Sequence, residues 1–239
     1  MILKARLPMK TDLEKTLSLL QEMEISNVRF PGGGFTPYYH WKDGIGPKKK
    51  RPVTQYTDPF LNPPYNEFGT DEFIKWCQKV GCKPYICVNM GSDTSEEARD
   101  WVEYCNGKPG SRWADERVKN GHSTPYNVKY WAVGNEINGI WEYRYTEAAE
   151  EYVKKAREYC RVMKATDLSI KIVLIGIPTP NDWNFTVLNQ LYRYVDYISF
   201  HHYVGPENDL DHDGKNYYKV GIERTHEIMC SRMNILDDQ

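Results

Sequence analysis

Short apolar runs alternate with segments whose apolar residues recur at helical spacing along most of the chain. The runs NVRF, KPYICVNMG, VKYWAVGNE and SIKIVLIGIP, and a further run inside LYRYVDYISFHHYVG, predict about five strands. Strands that alternate with helices are typical of a parallel sheet with crossover helices, so the pattern predicts an α/β fold. SIKIVLIGIP has no polar alternation, which predicts a strand that is buried on both faces.

Polar residues in front of the helical segments indicate where the helices begin. Thr94 and Glu97 have the spacing of a capping box, in which each side chain bonds the other residue's backbone N–H. Similar signals predict helix starts at Thr11 (with Glu14), Thr70 and Thr146, and a helix end at Gly81. KVGIERTHEIMCSRM is predicted to form the last helix.

Two polar stretches lack any period. The first runs from Tyr38 to Asn66 and is rich in Pro and Lys, and the second leads through Pro125 to the strand VKYWAVGNE. A loop as long as the first in a compact domain is usually functional. No internal repeat or linker interrupts the pattern, so residues 1–239 are predicted to form a single domain.

Charge, apolar runs and cysteine usage narrow the class of protein and the kinds of partner it can have. The net charge is −2, which favours neither a nucleic acid nor an anionic membrane as a partner. No stretch approaches the roughly 20 apolar residues of a membrane span, and the N-terminal residues do not resemble a signal peptide. The six cysteines never occur at CxxC spacing, so reduced, packed thiols are favoured over disulfides or metal ligands. The aromatic content of 13% suits sugar surfaces and ordinary cores equally.

Polar side chains finish four of the predicted strands. They are Arg29, Asn89, the pair Asn135 and Glu136, and the segment His201–Tyr203. In parallel α/β folds the carboxyl ends of the strands form the active-site edge, so these side chains are expected to converge there. The alternative is that strand ends border loops, which are polar in any case.

Glu136 follows an apolar strand and has Trp131 and Trp141 nearby in sequence. Desolvation there would raise the pKa of its carboxyl and keep it protonated, as a general acid requires. Asn135 can donate hydrogen bonds to a substrate hydroxyl. In retaining glycosidases, contacts to the sugar 2-hydroxyl strengthen in the transition state. The pair therefore indicates glycoside hydrolysis, in which Trp41 and Trp141 could stack on sugar rings or else belong to the core.

Seven blocks occur in the order found in glycoside hydrolase family 51, from about Leu13 to Asp209: VRFPGGGF, YHWKDGIGP, NEFGTDEFIKWC, PYICVNMGS, EARDWVEYCNG, YWAVGNEINGIW and DYISFHHYVG. The chain resembles this family of retaining α-L-arabinofuranosidases, which use a (β/α)8 TIM-barrel. The resemblance implies that Glu136 is the general acid/base and that Asn135 binds the 2-hydroxyl. It also implies that Arg29 lines the site, and that His201 and Tyr203, in an H-x-Y motif, line the arabinose pocket and steady the nucleophile.

The same resemblance implies a substrate, a location and partners. The substrate would be arabinan, arabinoxylan or their oligosaccharides, from which terminal arabinofuranose is released without a metal or organic cofactor. The location would be cytoplasmic. A partial barrel exposes two sheet edges, which favours a homo-oligomer or a complementing chain.

The chain departs from the family pattern at three places. Gly34 stands where the family usually has a larger side chain, so a substrate contact is lost there or made by backbone. No segment resembles the DEWN stretch that carries the family's nucleophile. Glu207 and Asp209 are the nearest acids that could replace it, and the alternative, which is favoured, is that they are solvated loop acids. The region before Leu13 is too short for the first strand and its sugar-binding glutamate. The chain is therefore expected to span strands two to six of the barrel, without the family's β-sandwich.

Three functions remain open at this point. The first is an arabinofuranosidase sequence with little or no turnover as this chain. The second is a non-catalytic sugar-binding fragment or pseudoenzyme, and the third is a related barrel acting on another pentose, such as a xylosidase.

Overall fold

Five parallel strands lie side by side in chain order in the part of the chain that the structure describes. The computed structural model describes residues 10–54, 66–178, 182–201 and 203, with the side chains of 10–13 left out. The sheet order is β1-β2-β3-β4-β5, and every neighbouring pair is parallel. The predicted parallel α/β fold is confirmed, and its strand order is that of consecutive βα units in a barrel.

The elements follow one another as a helix and then strands separated by helices. In chain order they are α1 (Lys10–Glu22), β1 (Asn27–Phe30), α2 (Thr70–Val80), β2 (Lys83–Val88), α3 (Ser95–Asn106), α4 (Arg112–Lys119), β3 (Tyr130–Val133), α5 (Ala149–Thr166), β4 (Lys171–Ile175), α6 (Asp182–Leu191) and β5 (Val195–Ser199).

The main core lies between the sheet and the helices. Ile86, Trp131 and Ile172 are register partners on β2, β3 and β4, and all three are fully buried in this core. The next residues along these strands, Cys87, Ala132 and Val173, form a smaller cluster with Tyr85 packed against it. Successive side chains of a strand point to opposite faces, so this smaller cluster lies on the face away from the main core. The core strand β4 is buried along almost its whole length, as predicted.

Helix boundaries were predicted with mixed success. Thr94 does cap α3, since its hydroxyl accepts the N–H of Glu97 at 3.3 Å, and Gly81 ends α2 with φ 88°. The prediction that Thr70 caps α2 was wrong by one residue. The cap is Gly69, whose N–H is bound by the carboxylate of Glu72 at 3.0 Å.

Two other predicted helix starts were wrong. Thr11 lies inside α1, which already begins at Lys10. Helix α5 begins at Ala149 rather than at Thr146. The Thr146 hydroxyl instead accepts the N–H of Ala148 at 3.3 Å and bonds Glu151 at 2.7 Å, so it organises the residues in front of the helix.

The predicted loop through Pro125 contains a helix, α4, that the sequence pattern did not reveal. Its polar composition hid the buried residue Arg117. The Arg117 guanidinium donates to the carbonyls of Tyr104 (2.6 Å), Gly107 (2.9 Å) and His122 (3.1 Å). Two of these carbonyls belong to the end of α3, where cations are favoured. A buried cation therefore fixes α4 together with the apolar residues Trp113 and Ala114.

The connection between β1 and α2 is held by another arginine. Three short 3-10 turns occupy 36–38, 41–44 and 48–50, and the residues 55–65 of this predicted loop lie outside the described part. Arg51 makes two parallel bonds of 3.0 Å to the carboxylate of Glu72 and donates to the carbonyls of Gly46 and Asn66. Bidentate arginine–carboxylate pairs are among the stronger and more directional polar contacts. This pair fixes the long connection to α2.

Residues 1–199 form one compact unit and residues 200–239 a second. In the second unit the structure describes Phe200, His201 and Tyr203. The acids Glu207 and Asp209 and the helix predicted at 219–233 lie outside the described residues. The single domain predicted for 1–239 stays a prediction.

Five cysteines are reduced and buried, as predicted; they are Cys77, Cys82, Cys87, Cys105 and Cys160, while Cys230 lies outside the described residues. Within the described ranges, no helix combines the length and apolar character that crossing a membrane requires.

Replacing Arg117 by Met should lower the free energy of unfolding by about 2–4 kcal/mol, because three carbonyls, one of them fully buried, lose their donor. Urea denaturation measures the change. Arg112→Met is the matched control on the same helix, since Arg112 is exposed and its guanidinium lies over the Trp113 ring, 5.0 Å from the centroid. The control should cost less than about 1 kcal/mol. Equal losses in both variants would contradict a special role for the buried guanidinium.

Candidate active site

Three of the side chains predicted for the site meet at the carboxyl edge of the sheet. Arg29 lies one residue before the end of β1, and Asn135 and Glu136 come just after β3. The Arg29 Nη1 donates to Asn135 Oδ1 at 2.9 Å. The expected convergence of strand-end residues is therefore found for β1 and β3.

The turn between β3 and Asn135 requires glycine. Gly134 has φ 86°, in the left-handed region that other residues rarely adopt. A Cβ atom there would also lie 3.0 Å from the Met90 sulfur and 3.2 Å from Ile175 Cδ1. The turn places Asn135, with an exposed fraction of 4%, at the buried edge of the sheet.

The amide of Asn135 lies between a cation and an acid. Its Oδ1 accepts from Arg29, and its Nδ2 donates to Glu142 Oε1 at 2.7 Å. A guanidinium can only donate and a carboxylate can only accept, so both neighbours select the same orientation of the amide. Arg29, Asn135 and Glu142 thus form one hydrogen-bonded row.

Glu142 is the residue of this row that the sequence did not reveal. Its exposed fraction is 6%, although the aromatic residues beside it, Trp141 and Tyr143, are exposed. Burial raises the pKa of Glu142 from 4.5 to about 7, the bond from Asn135 and the charge of Arg29 oppose this rise, and the charge of Glu136 adds to it. The connection has no period, so no sequence signal distinguished the buried acid from its exposed neighbours.

Glu136 is half-buried and has φ 40°, an uncommon backbone conformation for a residue with a side chain. Its Oε2 accepts the indole N–H of Trp141 at 2.8 Å. The Trp141 ring itself is 71% exposed, whereas Trp131 is fully buried in the main core. Left-handed backbone outside glycine is often associated with functional sites, where the surroundings fix it.

Trp41 does not take part in the site. It is buried and stacks on Trp101, with ring centroids 5.9 Å apart and an interplanar angle of 6°. Of the two tryptophans that could stack on a sugar, Trp41 therefore belongs to the core, and Trp141 lies beside Glu136.

Asn89 follows β2 directly and organises a loop. Its Oδ1 accepts the N–H groups of Gly91 (2.8 Å) and Ser92 (3.1 Å), and its Nδ2 donates to the Tyr39 carbonyl and to the Ser92 hydroxyl. These contacts use both ends of the amide. Asn89 thus joins the β2–α3 connection to the residues after β1.

Gly34 lies near the buried acid. A Cβ atom at this position would stand 3.7 Å from Glu142 Oε1, which is ordinary van der Waals contact. A larger side chain at Gly34 would therefore approach Glu142.

His201 and Tyr203 lie in the second unit, two and four residues after the end of β5. His201 is half-buried, and Tyr203 is 81% exposed. Their predicted contacts with the sugar stay predictions.

Comparison with known proteins gives a consistent family. The model of the "Alpha-L-arabinofuranosidase 1 domain" matches residues 19–220. "Alpha-L-arabinofuranosidase C" of Emericella nidulans is 45% identical over 174 residues, which cover 73% of this chain and 34% of that protein. The "Intracellular exo-alpha-(1->5)-L-arabinofuranosidase" of Halalkalibacterium halodurans is 42% identical over 212 residues, covering 87% of this chain and 41% of that protein.

Solved structures agree with the sequence relatives. The thermostable GH51 α-L-arabinofuranosidase from Thermotoga petrophila superposes with a TM-score of 0.71 and 42% identity, over 79% of this chain and 38% of that one. The chain thus spans little more than a third of the first curated relative's length. The (β/α)8-type fold predicted for a partial barrel is confirmed.

Gly134→Ala should lower the free energy of unfolding by more than about 1 kcal/mol, because the new methyl group meets both a left-handed φ and close neighbours. Gly34→Ala is the matched control. It lacks a left-handed φ, and its new Cβ makes only an ordinary contact, so we expect a change within about 0.5 kcal/mol. Urea denaturation of both variants measures the difference, and equal effects would contradict the requirement for glycine at 134.

Glu142→Gln should stabilise the protein at pH 8 and have little effect at pH 4. The folded state binds the Glu142 proton up to about pH 7, whereas the unfolded chain releases it near pH 4.5. Ionisation of Glu142 therefore costs stability as the pH rises from 4.5 to 7, by about 3 kcal/mol at most. Urea denaturation at the two pH values tests the sign. A variant that is less stable than the parent at pH 8 would contradict it.

Proposed function

This chain belongs to the α-L-arabinofuranosidase family defined by that domain, glycoside hydrolase family 51, and from this premise we propose that it carries the acid/base half of a retaining arabinofuranosidase site. The observation that supports the proposal most is the bond between Arg29 and Asn135, which sets two predicted sugar-binding residues beside Glu136. The carboxyl edge of a barrel is where such sites lie.

Glu136 is proposed to act twice. It first protonates the glycosidic oxygen as the bond to the anomeric carbon breaks, and then, as a carboxylate, takes a proton from the water that releases the sugar. Asn135 binds the 2-hydroxyl, and Arg29 holds the amide of Asn135. Trp141 holds the Glu136 carboxylate through its indole N–H and is exposed enough to contact the substrate.

Retaining hydrolysis also needs a nucleophilic carboxylate about 5–5.5 Å from the acid/base. Glu142 is unsuited to that role, because its Oε1 is bonded to Asn135 and it is almost completely buried. The nucleophile is therefore proposed to come from a strand outside this set of five. His201 and Tyr203 are proposed to line the sugar pocket.

The substrate is proposed to be a terminal arabinofuranose unit of arabinan, arabinoxylan or their oligosaccharides. The cytoplasm is the proposed location, in line with the name of the H. halodurans relative. Among the described strands, β1 and β5 each pair on one side, so both outer edges are proposed to accept further strands, from a complementing chain or a second copy.

A second candidate is sugar binding without catalysis. The buried position of Glu142 favours it, because the second carboxyl group of the site is not presented to a substrate. The two candidates share Arg29, Asn135 and Glu136 and differ only in turnover.

The 239-residue chain should release no 4-nitrophenol from 4-nitrophenyl α-L-arabinofuranoside, with or without Glu136→Ala, because the nucleophile is proposed to lie on a strand that this chain does not supply. Saturation-transfer NMR should detect binding of L-arabinose, weakened at least about fivefold in Asn135→Ala by the loss of a hydrogen bond. Glu147→Gln, at an exposed site in the same connection, is the control and should bind as the parent does.

Release of 4-nitrophenol by the parent that disappears in Glu136→Ala would contradict the proposal that the nucleophile lies outside this chain. Preference for D-xylose over L-arabinose would favour a xylosidase instead. Absence of sugar binding in the parent would contradict both proposed functions.

A further inference from the structure

We propose that Glu142 is a positioning residue of this site: its carboxylate fixes the side-chain amide of Asn135 in the orientation in which the amide nitrogen can serve a sugar hydroxyl. The part of this statement that concerns the sugar rests on the proposed function. The part that concerns Asn135 rests on the contacts alone.

The two ends of the amide are recognised differently. Arg29 donates to Asn135 Oδ1 at 2.9 Å, and Glu142 Oε1 accepts from Asn135 Nδ2 at 2.7 Å. If the amide turned over, its NH2 group would face the guanidinium and its oxygen would face the carboxylate. Both contacts would be repulsive, so the ionised acid and the arginine together exclude the reversed amide.

Among the described residues, the Asn135 nitrogen bonds only Glu142, which leaves one N–H donor for a ligand. An amide NH2 group carries two N–H donors, and the bond to Glu142 uses one of them. With its oxygen held by Arg29 and one N–H held by Glu142, the amide has a single fixed direction for the other N–H. A fixed donor loses less entropy on binding than a mobile one, which increases affinity.

Protonation of Glu142 removes its part of this selection and leaves the part made by Arg29. A neutral carboxyl group has an O–H donor as well as acceptors, so it can pair with either end of the amide. Burial already raises the pKa of Glu142 to about 7. Asn135 is therefore held most firmly when the pH is above 7, and less firmly below it.

Charged and titratable groups face Glu142 from three elements. Arg29 on β1 favours its ionised form, and Glu136 in its own connection opposes it. Cys87 on β2 also feels the charge of Glu142, but burial raises the pKa of this thiol to about 11. Cys87 stays neutral over the range in which Glu142 titrates, so Glu136 is the neighbour whose charge can shift that range.

The first measurement uses the 239-residue chain without sugar. The side-chain amide signals of Asn135, assigned by their loss in Asn135→Asp, should shift with pH with a midpoint near 7. They should lose this titration in Glu142→Gln and keep it in the control Glu147→Gln. In Glu136→Gln the midpoint should move to lower pH, because a like charge is removed.

The second measurement adds L-arabinose. Binding by the parent should weaken about fivefold to tenfold from pH 8.5 to pH 5.5, the size of one ordinary net hydrogen bond. Glu142→Gln should bind independently of pH and as weakly as the parent does at pH 5.5. Glu142→Asp keeps the charge but draws the carboxylate back by one methylene group. It should lose affinity while retaining a pH dependence.

The two measurements test the positioning role and the proposed function separately. Asn135 signals that do not titrate in the parent, or that titrate unchanged in Glu142→Gln, would overturn the positioning role whether or not sugar binds. Sugar binding by Glu142→Gln equal to that of the parent at pH 8.5 would also overturn it. If the parent binds no arabinose while Asn135 titrates as expected, the proposed function fails and the positioning of Asn135 by Glu142 stands.

Discussion

The hydrogen bond from Arg29 of β1 to Asn135, just after β3, depends on the strand order and on the turn that follows β3. Neighbouring strands lie about 4.8 Å apart, so this bond has to span the intervening strand β2. On β2 the register partner of Arg29 is Tyr85, and Cys87 follows on the same face. The Cys87 thiol donates to the Gly134 carbonyl at 3.0 Å, which ties β2 to the turn after β3. The parallel order and the glycine turn at 134 thus bring the two polar residues together.

The sequence was most informative where burial imposes a simple rule. All five strands were predicted because their apolar runs are continuous and end at polar or glycine residues, as β4 illustrates. It was least informative where a polar side chain fixes the position of an element, as apolar side chains usually do. Helix α4 was missed because Arg117 anchors it through backbone carbonyls, and Thr146 gave a false helix start because its hydroxyl bonds residues in front of α5.

The site was predictable to the extent that strand ends specify it. Arg29, Asn135 and Glu136 could be named from their positions after apolar runs, and the family resemblance gave them roles. Glu142 could not be predicted, because it lies in a connection without a period and because a charged side chain is not expected to be buried. Trp141 next to it shows the inverse pattern, an exposed aromatic ring. Only the fold reveals that the acid is buried and the aromatic ring beside it is exposed, the opposite of what the two side chains would suggest.

Glu136 and Glu142, two acids of the same connection, are suited to different tasks because their surroundings differ. Glu136 is half-buried and accepts the indole N–H of Trp141. A substrate at the edge where the strands end can therefore reach its side chain. Glu142 is enclosed and bonded to Asn135, so a substrate cannot reach it, yet its charge acts on both Asn135 and Glu136. A group that exchanges protons with a substrate needs access, whereas a group that fixes an amide needs burial, where a hydrogen bond to a charge is strongest. The same residue type is therefore suited to acid/base chemistry at 136 and to orienting its neighbour at 142.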